Sequence, residues 1–207
     1  MNKTNLAALF LGLILVLLFL NRFDTPSPER QRLGSDARVL AFGDSLTYGY
    51  GAVEMSYPKQ LQTRIGRSVI NAGISGEVSS AGLKRLPGLL ERYHPALVIL
   101  CHGGNDILRQ SSREQLKLNL IAMIQLSRKS GAEVLLVGVP GFGLFGPNTV
   151  ALYEEIAQEK GVLFEGNILE KIESEPALKS DRIHPNAIGY GLMAEAFEAV
   201  IKENGLL

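Results

Sequence analysis

The chain has 207 residues, 46% of them hydrophobic and 20% charged, with 21 basic and 21 acidic side chains and zero formal net charge. This balance excludes a disordered or fibrous chain and, with no long basic run, argues against nucleic acid as a partner. A single cysteine, Cys101, excludes an intrachain disulfide framework and any cysteine-rich metal site.

The chain opens on an almost unbroken apolar run, residues 6–20, after Lys3. It is shorter than the roughly 20 residues of a usual membrane span, and fits a signal-peptide core or a short signal anchor. It ends at Asn21 and Arg22 without a small-residue cleavage site, so residues 1–23 are expected to stay as an uncleaved anchor. Arg22, Arg30 and Arg32 follow the run, and a positive-inside count alone would keep the domain in the cytoplasm. The short basic start before an apolar core reads instead as an export signal, giving a periplasmic or extracellular expectation. Residues 24–37, with two prolines and several charges, read as a tether.

From residue 38 the pattern is regular. RVLAF (38–42) predicts a buried strand, YPKQLQTRIG (57–66) a helix closed by Gly66, and SVINAG (68–73) a second strand. SSAGLKRLPGLLERY (79–93) predicts a helix disturbed by Pro87, ALVILC (96–101) a third strand, and residues 113–131 a long amphipathic helix stopped at Gly131. EVLLVGV (133–139) predicts a fourth strand, PGFGLFGPN (140–148) a loop, and residues 149–161 a helix capped by Thr149. VLFE (162–165) predicts a fifth strand and residues 186–204 a closing helix. Continuous apolar strands alternating with helices predict one α/β domain, residues 38–207, built on a five-stranded parallel sheet covered on both faces.

In such a sheet the ligand site lies beyond the carboxyl ends of the strands. There the sequence places Ser45, the glycines Gly73 and Gly76, the run Gly103, Gly104, Asn105 and Asp106, and, before the last helix, Asp181 and His184. A hydroxyl, glycine amides, a carboxamide and a carboxylate–imidazole pair are the functions that acyl transfer needs. The Gly-x-Ser-x-Gly elbow of α/β-hydrolases is absent, because Thr47 stands at its last position around Ser45 and Glu77 around Ser75.

The blocks GDSLTYGYG, NAGISGE, GGND and DRIHP, in this order, resemble the SGNH hydrolases, also called the GDSL lipase/esterase family, over essentially the whole domain. NAGISGEVSSAGLKRLPGLL is similar to the bacterial branch with thioesterase, arylesterase and lysophospholipase activities. The resemblance implies a flavodoxin-like three-layer α/β/α sandwich and a serine esterase acting on small-molecule ester or lipid substrates without a cofactor. It implies Ser45 as nucleophile, His184 as base and Asp181 as its orienting carboxylate. It also implies an oxyanion hole from the N–H groups of Ser45 and Gly76 and the side chain of Asn105, the family motif favouring Gly76 over Gly73.

Asp44 and Asp106 are expected to be structural, His94 a surface residue and Cys101 a core residue. His102 is a candidate pocket-lining residue with packing as its rival reading. Phe142, Leu144 and Phe145 are candidates for the wall of an acyl pocket. Three histidines in unrelated contexts give no metal site. The rival functions are a carbohydrate O-acetyl esterase of the cell envelope and a non-catalytic anchored binding protein.

Overall fold

The computed structural model describes residues 30–143 and 146–207, and the predicted anchor lies outside them. Five strands form one parallel sheet: β1 (Arg38–Gly43), β2 (Ser68–Gly73), β3 (Leu97–Cys101), β4 (Glu133–Val137) and β7 (Leu163–Glu165), in the order β2-β1-β3-β4-β7. Register is set by apolar pairs such as Val39 with Leu97 and Leu40 with Val98. Successive strand residues point to opposite faces, yet Val39, Leu40, Ala41 and Phe42 are all fully buried. Both faces are therefore covered, which makes three layers, α/β/α.

The covering helices are amphipathic and form two groups. Helix α2 (Tyr57–Ile65) packs on α8 (Ala187–Glu203), with Tyr57 edge-on to Phe197 at 5.0 Å between ring centres. Helix α3 (Ser79–Tyr93) packs on α5 (Arg113–Lys129), which meets α6 (Ala151–Lys160). Asn186 starts α8, its side chain accepting from the Ile188 and Gly189 N–H groups. Leu33, within the predicted tether, is buried, and its N–H donates to the Leu206 carbonyl.

Several local expectations change. Pro87 does not disturb α3; the ring is exposed and gives up one backbone bond, while Gly82, Leu86 and Leu90 bury the opposite face. The expected loop at 140–148 is an antiparallel hairpin, β5 (Pro140–Gly143) with β6 (Gly146–Thr149). Thr149 does not cap α6, which starts at Ala151 without a side-chain cap; its hydroxyl donates to the Gly166 carbonyl instead. Three short helices escape the sequence reading: α1 (Ser45–Tyr48), α4 (Gly104–Leu108) and α7 (Ile168–Ser174).

Strand order reverses around β1. The chain passes from β1 outward to β2, then returns to the other side of β1 as β3. The crevice of such a switch point is where α/β sheets place ligands, and α1 and α4 open from its two flanking strands.

Candidate active site

Asp44 ends the turn after β1, its Oδ1 accepting from the Leu46 N–H at 3.1 Å, so α1 begins at Ser45. This puts the Ser45 hydroxyl at the edge of the sheet. Its Oγ lies 3.0 Å from His184 Nε2, and His184 Nδ1 lies 2.8 Å from Asp181 Oδ2. The other carboxylate oxygen of Asp181 accepts from the Ile183 and His184 N–H groups, both at 2.8 Å. Burial pushes this carboxyl up, but the two backbone donors and the imidazole outweigh it and bring it down to about 2. Ionised Asp181 thus takes a proton bond from Nδ1, which leaves the Nε2 lone pair facing Ser45. The ring of Tyr50 covers the imidazole, 4.4 Å between centres, and the Tyr50 carbonyl is held by the Tyr190 hydroxyl at 3.0 Å. Tyr50 lies inside the first sequence block, but no one-dimensional signal marks it as a neighbour of His184.

Gly76, Asn105, Ser45 and His184 line one cavity of about 260 Å³. Gly76 is left-handed (φ +78°) with open space where a side chain would start, so glycine is required by conformation and not by crowding. Gly73 differs: its N–H is taken by Asn71 Oδ1 at 3.0 Å, and an added Cβ would lie 2.1 Å from the Tyr48 nitrogen. Of the two glycines only Gly76 lines the cavity. Asn105 Nδ2 donates to the Glu77 carbonyl at 3.0 Å and to Asp44 Oδ2 at 3.2 Å, which aims the amide along the cavity floor. Burial raises the Asp44 carboxyl, against the pull of His102, the Leu46 N–H, His184 and Asn105.

His102 is not a pocket residue. It is fully buried behind the site, accepting from the Gly103 N–H at Nδ1 (3.1 Å) and contacting Glu77 Oε2 at 3.2 Å through Nε2. Glu77 is also held by Arg85 through both oxygens, at 3.0 and 2.6 Å. Burial pushes Glu77 up, but the bonds from His102 and Arg85 prevail and bring it down to about 2. Gly82 makes the room, since a Cβ there would sit 2.4 Å from the His102 ring. The network grips the residue next to Gly76 and the carbonyl that orients Asn105.

Asp106 is structural as expected, its oxygens accepting the Ser79 hydroxyl (2.6 Å) and N–H (2.8 Å) at the start of α3. Cys101 is buried in β3 and its thiol is pushed well up, chiefly by burial. His94 is exposed at the end of α3. The side chains of Phe142, Leu144 and Phe145 lie outside the described residues. The described apolar lining is Leu46, Ile107, Leu108, Val139, Pro140, Leu169 and Ile183. Sequence reasoning missed Leu169 and Glu173, because α7 is too short to show a face by periodicity, and Ile183, which stands in an irregular segment between Asp181 and His184. Among the described residues no group of three His, Cys, Asp or Glu side chains is arranged to hold a metal ion.

Residues 41–192 match the GDSL-like lipase/acylhydrolase family. The esterase TesA of Pseudomonas aeruginosa is 36% identical over 159 residues, covering 71% of this chain and 79% of that protein. Thioesterase 1/protease 1/lysophospholipase L1 of Escherichia coli strain K12 is 33% identical over 156 residues, covering 72% and 75%. The crystal structure of the psychrotrophic esterase EstA from Pseudoalteromonas sp., inhibited by monoethylphosphonate, superposes with a TM-score of 0.73 at 28% identity, over 81% of this chain and 98% of that one. With a serine facing an imidazole at the carboxyl edge of the expected sheet, and with this kinship, the chain belongs to the GDSL-like lipase/acylhydrolase family and is a serine esterase.

Proposed function

We propose that the chain hydrolyses esters and thioesters of small aryl or acyl groups and of lysophospholipids through an acyl-Ser45 intermediate. The observation that carries this is the line from Asp181 through His184 to Ser45 Oγ at the mouth of an apolar cavity. His184 Nε2 takes the hydroxyl proton as Oγ bonds to the carbonyl carbon. The carbonyl π electrons move to oxygen, where the N–H groups of Ser45 and Gly76 and the Asn105 amide receive the negative charge. To do so the amide turns one N–H from Asp44, its longer bond, toward the oxyanion. The tetrahedral centre collapses, the alcohol or thiol leaves with the proton from His184, and water repeats the sequence to release the acid. The named activities of the relatives, and phosphonate inhibition of the Pseudoalteromonas enzyme, support this reading.

We further propose that residues 1–23 anchor the chain in a membrane, with the catalytic domain on the periplasmic or extracellular side; the apolar run and its basic start support this. One experiment tests both parts. Cells producing the full chain, wild type or Ser45→Ala, are treated with a membrane-impermeant fluorophosphonate, fractionated and washed with alkaline carbonate. A single adduct on wild type, absent from the variant and retained in the membrane pellet, is expected. Equal labelling of the Ser45→Ala chain would overturn the nucleophile. Labelling only after lysis would overturn the orientation, and release by carbonate the anchor.

A further inference from the structure

Beyond the reacting groups Ser45, His184 and Asn105 and their neighbours Asp44 and Ser75, the cavity is lined by apolar residues and by one further charged side chain, Glu173, at the end of α7. It lies four residues after Leu169, so both side chains share a helix face and line the same space. The Glu173 side chain is only 8% exposed. Lys179 Nζ contacts its Oε2 at 3.3 Å, its carbonyl at 2.8 Å and the Arg182 carbonyl at 3.4 Å, so this ammonium is spent on the wall itself. Oε1 accepts no bond from any described residue. Burial pushes the Glu173 carboxyl up, against Lys179 and His184.

A plain fatty acyl chain is served best by an apolar wall. A ligand that displaces water from a nearly enclosed acceptor without replacing its bond is disfavoured, and one that brings a donor is not. Lys179 already neutralises the carboxylate, so the wall suits a neutral donor better than a cation. We infer that Glu173 is a specificity-determining residue, which selects esters whose acyl arm carries a hydroxyl over plain aliphatic esters of the same length. The inference rests on the nucleophile assignment, because the arm bound to Ser45 stays in the cavity while the alcohol departs.

The test uses the full chain in detergent with 4-nitrophenyl 3-hydroxybutyrate and 4-nitrophenyl butyrate, each kcat/KM divided by the ester's own rate with hydroxide. Wild type is expected to favour the hydroxylated ester about tenfold. Glu173→Leu removes that preference, whereas Glu173→Gln, which keeps an acceptor oxygen, retains part of it. The absence of a preference in wild type overturns the inference without any variant. So does an unchanged ratio in a folded Glu173→Leu chain, or an equal loss on both esters, which would assign Glu173 to His184 or to packing. Ser45→Ala with the same pair separates the two readings: turnover surviving there would overturn the nucleophile and the inference with it, whereas turnover lost there with no preference in wild type would overturn the inference alone.

Discussion

Asp181 has a side chain 44% exposed, yet three donors converge on its two oxygens. Its pKa falls from an ordinary 3.8 to about 2 on folding, so the folded state favours the ionised form. The stability this contributes is present above about pH 4 and is lost as pH falls through about 2. Exposure keeps the effect small. The difference in melting temperature between wild type and Asp181→Asn is therefore expected to narrow between pH 5 and pH 2, which differential scanning fluorimetry would follow. At neutral pH the same variant is expected to lose on the order of 10³–10⁴ in kcat, because an amide no longer enforces the tautomer that faces Ser45. An unchanged kcat would remove Asp181 from the mechanism.

Gly73 ends β2 and Gly76 follows it, two glycines that placement at a strand end leaves as rivals and that only the family motif separates. Gly73 closes the strand against the backbone of Thr47 and Tyr48, and Gly76 turns the chain with φ +78° beside the cavity. Gly73→Ala drives a Cβ into backbone and is expected to cost about 3 kcal/mol of stability, read from urea unfolding. Gly76→Ala meets no atom and is expected to cost about 1–2 kcal/mol of conformational strain. Because the proposed mechanism has this N–H receive the oxyanion, the variant is also expected to lose most turnover in a chain that still folds. If Gly76→Ala kept full activity, the oxyanion hole would need another donor.

The main sheet was legible from residues 38–42, 96–101 and 133–137 because strands covered on both faces are continuous apolar runs. The hairpin at 140–149 was not, since Gly141, Gly143, Gly146 and Pro147 carry the composition of a turn while the backbone pairs regardless. Nor was the place of His102, because its partners Glu77 and Arg85 lie on other elements and only the third dimension brings them to it. The same holds for Glu173. Ser45, Gly76, Asn105, Asp181 and His184 were legible because each stands in a short block at a strand end or helix start, where side chains are chosen for chemistry more than for packing.

At the scale of the whole molecule, β1 is an interior strand of the sheet, between β2 and β3, and α8 is the last helix, packed on α2. Ser45 follows the one and His184 precedes the other, 139 residues apart in the chain. Contacts of such separation form only after long loops have closed. When the full chain is refolded from urea in detergent, helical ellipticity is expected to return before phosphonate reactivity at Ser45. Reactivity that returned first would contradict this order. The hydroxyl and its base are separate objects until the final helix docks, so a nascent or partly unfolded chain is chemically silent, and acyl transfer begins only once the tertiary structure is complete.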